Sequence, residues 1–169
     1  TQFDPLSLHD ALPISESRAT NTTGTNGSLS RFAISGDYLY VVSNWALYTY
    51  NIADPGNPVK TNEEVFAFNI ETIYPYKNHL FIGTTTGLYI YSIANPGTPV
   101  LEGEASHARS CDPVVANDSV AFVTLKGSSR CGPATSGLYV HDVRDLFHPT
   151  LMKTIAFDNP EGLGLKGDV

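Results

Sequence analysis

The chain reads as all-β, and more narrowly as a β-propeller fragment of about three four-stranded antiparallel blades plus the start of a fourth. Three observations predict this. First, one segment recurs: Leu47-Tyr48-Thr49-Tyr50-Asn51-Ile52-Ala53-Asp54-Pro55-Gly56-Asn57-Pro58, then Leu88-Tyr89-Ile90-Tyr91-Ser92-Ile93-Ala94-Asn95-Pro96-Gly97-Thr98-Pro99, then Leu138-Tyr139-Val140-His141-Asp142-Val143-Arg144-Asp145-Leu146-Phe147-His148-Pro149. The steps are roughly 40 and then about 50 residues, the period of a propeller blade and of a blade with an insertion. Second, each copy sits among further short β-prone runs separated by turn residues, which brings the count to four strands per unit. Third, Leu88-Tyr89-Ile90-Tyr91 is apolar or aromatic at both parities. A strand exposed on one side would alternate, whereas one sandwiched between neighbouring blades need not.

Taken in order, each unit opens with a short innermost strand over 31–35, 72–76 and 112–116. A polar hairpin follows at Gly36-Asp37, Lys77-Asn78 and Asn117-Asp118. Next come the apolar second strands from Tyr38, His79 and Ser119, then the recurrent third strands. Pro55-Gly56 and Pro96-Gly97 close these with a turn. Pro presets φ at the first central position, and Gly admits the positive φ of a type II turn at the second. The Pro that follows (Pro58, Pro99, Pro149) lacks an N–H and suits a strand start. Outermost strands are therefore expected from Val59, from Val100 and over 150–155. The blades span approximately 31–69, 70–109 and 110–158, and 159–169 repeats a blade opening.

Residues 1–15 do not fit the repeat. They resemble translated sequencing-adapter read-through, with a native linker as the alternative, and are set aside as a non-native or disordered leader. Residues 16–30 are rich in Ser, Thr, Asn and Gly and read as a flexible lead-in. Three blades and a stub fall short of the ~4–8 that close a ring. The chain is thus expected to be part of a longer protein, and its uncovered end blades are expected to make it associate.

Composition narrows the function. Net charge is −7, with ten Lys and Arg spread along the chain, which argues against a nucleic-acid surface. No apolar run has the length of a membrane helix. No secretory signal lies within 1–169. The sequence holds no nucleophile elbow, phosphate loop or His-Glu-Xaa-Xaa-His, so no catalytic residue and no cofactor is assigned.

The repeat alignment places Arg31, Thr72, Asp112 and Glu161 at one position, where the chain enters the innermost strand at the mouth of the central channel. Polar groups converging there could bind an ion or small ligand, although channel mouths are polar in any case. His107, Cys111, Asp112 and Cys131 lack the paired spacing of a zinc site, and no metal is assigned. Tyr48, Tyr50, Tyr89 and Tyr91 are read as packing between blades rather than as sugar-stacking rings.

The run Leu88-Tyr89-Ile90-Tyr91-Ser92 leading into Asn95-Pro96-Gly97-Thr98-Pro99, with its flanking pieces over roughly 24–169, resembles the LVIVD repeat. Leu47-Tyr48-Thr49-Tyr50 and Leu138-Tyr139-Val140-His141 are weaker versions, and Glu161 stands where His would be expected. The resemblance implies a propeller-like fold in a bacterial secreted or surface protein, and brings no established catalytic motif. The function it implies is a non-enzymatic exported scaffold, in the periplasm or at the cell surface, binding an unknown protein or glycan partner. The alternative is a propeller-type enzyme whose site at the channel mouth is completed by further blades. In an exported protein two cysteines point to a Cys111–Cys131 disulfide. The insertion carrying Cys131 and the connection carrying Cys111 leave the blade at the same face.

Overall fold

The computed structural model describes residues 30–67, 69–106, 113–126, 135–158, 160 and 162–166. Twelve strands form three antiparallel sheets of four. The first holds β1 (Phe32–Ser35), β2 (Tyr38–Val42), β3 (Ala46–Asn51) and β4 (Val59–Val65). The second holds β5 (Ile70–Tyr76), β6 (His79–Thr84), β7 (Gly87–Ser92) and β8 (Val100–Ser106). The third holds β9 (Val114–Ala116), β10 (Val120–Leu125), β11 (Gly137–Asp142) and β12 (Thr150–Ala156). Each sheet is a meander in chain order, and the innermost strands β1, β5 and β9 lie side by side. Ile73 N–H of β5 donates to Ser30 C=O beside β1 at 3.0 Å. Sequential four-stranded blades gathered on their first strands are the propeller arrangement. Among the described residues there is no helix, and 162–166 form no strand. An innermost strand pairs with the second strand of its own blade, and none follows there among the described residues.

The blades stack through two apolar layers. The first joins Ala33, Tyr40, Val42 and Leu47 of the first blade to Ile73, Leu80, Ile82, Tyr89 and Tyr91 of the second. The second joins Phe81, Leu88 and Ile90 to Val114, Ala121, Val123 and Leu125 of the third. Alternate residues of the middle blade face opposite neighbours, which is why β7 is buried from Gly87 through Tyr91. Phe66 packs edge-on to Tyr89, with centroids 6.1 Å apart. The Tyr89 and Tyr91 rings thus lie between blades, whereas Tyr48 and Tyr50 occupy the same positions on the first blade's outer face and are only half-buried.

Two local expectations are corrected. The turns after β3 and β7 close with Asn57 N–H on Asp54 C=O at 3.0 Å and Thr98 N–H on Asn95 C=O at 3.1 Å. Neither Gly56 nor Gly97 takes a positive φ, so these are not type II turns. Asp54 Oδ1 also accepts from Gly56 N–H at 3.0 Å, an Asx turn that stabilises the bend from its first residue. The third copy shows why Gly is dispensable: Leu146 and Phe147 hold the same two places, and Asp145 Oδ1 accepts from Phe147 N–H at 3.0 Å.

The second correction concerns register. In the first two blades Gly36-Asp37 and Lys77-Asn78 form the hairpin, with the first residue of each left-handed (φ 56° and 50°). In the third blade Ala116 pairs with Ala121, and Asn117 N–H bonds to Val120 C=O, so the two turn residues are Asp118-Ser119. The cause is Asn117, whose Oδ1 accepts from Ser119 N–H at 3.0 Å and Val120 N–H at 2.9 Å. The innermost strand therefore shifts by one residue against the sequence alignment. Val42 N–H donates to Arg31 C=O, and Thr124 N–H donates to Pro113 C=O. Pro113, not Asp112, is the equivalent of Arg31 and Thr72.

Candidate functional site

Of the series proposed for the channel mouth, Arg31 and Thr72 are described; Asp112 and Glu161 lie outside the described residues, as do Cys111 and Cys131. Arg31 is half-buried, and its Nη2 donates to Asn44 Oδ1 at 2.9 Å. Asn44 C=O in turn accepts from Ile70 N–H at 2.8 Å. Arg31 thereby helps seat the second blade on the first. Thr72 is buried to 1 % exposure, and the third equivalent is a proline. These described members are parts of the blade junctions.

A cleft of about 140 Å³ opens at the other end of the innermost strands, between the second and third blades. Its walls include Tyr76 and Lys77 from the end of β5 and its hairpin, His79 and Phe81 from β6, Asp118 from the third hairpin and Arg144 and Leu146 from the turn after β11. The cleft exists because the repeat changes there. At the first junction Tyr40 fills the equivalent space and its hydroxyl donates to Pro96 C=O at 2.9 Å. Tyr38 lies against Gly97, where an added Cβ would meet its ring at 3.4 Å. At the second junction the equivalent residues are His79 and Phe81, facing Leu146 and Phe147. A phenylalanine cannot donate, and the imidazole is shorter than a phenol. Leu146 C=O instead rests on the backbone of Gly103 in β8.

The polar groups of the cleft are tied to one another. Lys77 pairs with Asp118 across the junction, and its Nζ stands 5.5 Å from the centroid of the Tyr76 ring. The hydrogen bond from Lys77, with a further one from Tyr76, holds the Asp118 carboxyl below the usual carboxylate range. Arg144 grips Asp142 through its guanidinium, and its backbone N–H donates to Asp142 Oδ1 at 3.0 Å. These bonds, the guanidinium's first, push Asp142 down to about 2. His79 Nε2 lies 2.9 Å from Glu102 Oε2, both side chains being 22 % exposed.

A bulge in β8 delivers Glu102. Tyr91 pairs with Leu101 and Ile90 with Gly103, leaving Glu102 as the extra residue. A bulge re-aims its side chain, here toward β6 of the same blade. Sequence reasoning passed over this site because it sought convergent charges at one repeat position. The available signal was the change from Tyr38, Tyr40 and Pro96-Gly97 to His79, Phe81 and Leu146-Phe147.

The described residues contain no group of three or more His, Cys, Asp or Glu side chains placed to hold a metal. No helix among them is long and apolar enough to cross a membrane. The sheets define the class: an all-β chain of consecutive propeller blades. No protein-family model matches the chain, and no curated protein matches it. Two solved structures are similar to it: a chain from the S. cerevisiae complex of a Dbp5 variant with Nup159, a Gle1 variant, IP6 and ADP, and the crystal structure of the N-terminal domain of Nup159. Each is 13% identical, with a TM-score of 0.48, over 75% of this chain and 30% of the other. The chain therefore spans under a third of the length of the structures it matches.

Proposed function

We propose that this chain is part of a non-enzymatic binding propeller, exported to the periplasm or cell surface, that takes a protein or glycan partner on the loop face bearing the cleft. The observation that carries the reading is the cleft itself. It lies where the repeat gives up two packing tyrosines, and the surrounding hairpins present donors, acceptors and an aromatic ring. Its charged groups are mutually paired, Lys77 with Asp118 and Arg144 with Asp142. Such a lining suits recognition by hydrogen bonds and stacking more than chemistry that needs a free base. Export rests on the resemblance to LVIVD-repeat proteins.

The test screens the purified chain against a glycan array and against cross-linked surface extracts of its source cells. Saturable binding that Arg144→Ala weakens supports the reading. Turnover of a model hydrolase substrate that His79→Ala abolishes would replace it with the enzymatic one. Fractionation of the tagged parent protein tests export separately.

A further inference from the structure

Two permanent cations, Lys77 and Arg144, line the cleft between the second and third blades, against one carboxylate, Asp118. This is a local excess of positive charge on a chain whose net charge is −7. The repeat needs neither cation. Register makes Asn51, Ser92 and Asp142 equivalent, so the place of Arg144 is held by Ala53 and Ala94 in the other two blades. Asn51 Oδ1 accepts from Ala53 N–H at 2.9 Å, as Asp142 Oδ1 accepts from Arg144 N–H. The turn therefore uses the acceptor and not the arginine. Lys77 holds the hairpin place of Gly36 and, with φ 50°, takes a left-handed conformation that a residue with a Cβ adopts only at a cost.

We propose that the cleft takes an acidic sugar unit of a glycan, with its carboxylate docked on Arg144; this rests on reading the cleft as the binding site. Asp142 holds the guanidinium by one edge. Nε donates to Oδ1 at 3.0 Å and to Oδ2 at 3.1 Å, and Nη2 donates to Oδ2. Arg144 lines the cleft and Asp142 does not, and the arginine side chain is 70 % exposed. The other edge, Nη1 with the second N–H of Nη2, bonds no other described residue. Two parallel N–H groups held in a fixed plane match a carboxylate. A phosphate would bring about two charges against Asp118 and suits the cleft less. The Asp118 side chain is 63 % exposed and keeps lone pairs for sugar hydroxyls. Leu146, backed by the buried Phe81 and Val143, gives an apolar side for the C–H face of the ring. An extended peptide finds no strand to pair with. His79 and Phe81 lie on β6, which is paired along both edges, and the other lining residues sit in turns or at strand ends.

The test probes an array of uronate- and sialate-bearing glycans, each beside its methyl ester, with the full chain, and calorimetry follows the glycan that binds best. Saturable binding of at least one acidic glycan is expected, roughly tenfold weaker for its ester. Arg144→Ala should lose as much. Arg144→Lys should lose nearly as much, because it keeps the charge without the fork. Both variants should melt as the wild type does, since the pair they break is exposed. Acid and ester bound alike, Arg144→Lys binding like the wild type, or an acidic glycan that Arg144→Ala still binds in full would each overturn the proposal. So would a poly-glutamate peptide that binds where no acidic glycan does. In that case, or where only a neutral glycan or a surface protein binds and Arg144→Ala weakens it, the cleft remains the binding site and only its ligand changes. No binding from the array or from surface extracts overturns both readings.

Discussion

The phenol of Tyr40, on the second strand of the first blade, donates to the carbonyl of Pro96 in the turn of the second blade at 2.9 Å. This bond joins a strand residue that is fully buried to a turn far along the chain. Tyr40→Phe removes the donor and leaves the carbonyl to find water at a half-buried site. The expected loss is about 1 kcal/mol of unfolding free energy, read from urea denaturation. An unchanged midpoint would show that the junction does not depend on it.

The same burial makes the molecule sensitive to alkali. Desolvation raises the pKa of Tyr40, with Tyr38 adding to it, and desolvation raises that of Tyr91, with Glu64 adding to it. An unfolded tyrosine releases its proton near pH ~10. Above that pH the folded chain holds more protons than the unfolded one, so stability falls as pH rises. Each such phenol should cost about 1.4 kcal/mol per pH unit until its folded pKa is reached. Melting temperatures between pH 8 and 11 check this: a flat profile to about pH 9.5, then a decline that Tyr40→Phe makes shallower.

Gly103 is where the third blade's turn rests on the second. A Cβ there would lie 1.9 Å from Leu146 C=O, a backbone atom that cannot step aside alone. Asn62 and Lys153 hold the equivalent positions and carry side chains. Gly103→Ala should therefore cost roughly 1–3 kcal/mol and loosen the second junction. Hydrogen exchange should rise in β9 and β10 before β1 and β2, and equal protection throughout would contradict the assignment.

Cys111 and Cys131 are expected to be joined. Thr124 N–H donates to Pro113 C=O at 3.1 Å, so the segments that lead to the two cysteines start from adjacent points of one blade. A bridge would stabilise by roughly 3 kcal/mol in the chain-entropy model. Mass spectrometry of oxidised protein, alkylated without reductant, should find neither thiol modified; two alkylated thiols would dispose of the bond.

Much of the architecture was legible because turn chemistry repeats. Pro, Gly, Asn and Asp punctuate the chain at the ends of β3, β7 and β11, and strands start where the second proline stands. The alternation of faces in β7 followed from its apolar residues at both parities. What escaped was decided by single side chains. Asn117 accepts two backbone N–H groups and so moves a hairpin by one residue, something composition alone does not signal. Asp54 and Asp145 stabilise their turns from the first position, which relieves the glycine of a left-handed role. The cleft was hidden for a similar reason: exchanging Tyr40 for Phe81 leaves hydrophobicity nearly unchanged while removing the hydroxyl that closes the junction.

The third and fourth strands of every blade slip by one residue at the same rung, between Thr49/Tyr50, Ile90/Tyr91 and Val140/His141. The extra residue falls each time on the outermost strand, at Thr61, Glu102 and Met152. Among the described residues those strands pair on one side only, and an unpaired sheet edge offers its backbone groups to an extended peptide. A bulge bends and overtwists such an edge, so that a flat strand cannot align along its whole length. The perimeter is thereby protected against templated β-aggregation, even though Val65, Val100, Leu151 and Phe157 are exposed there.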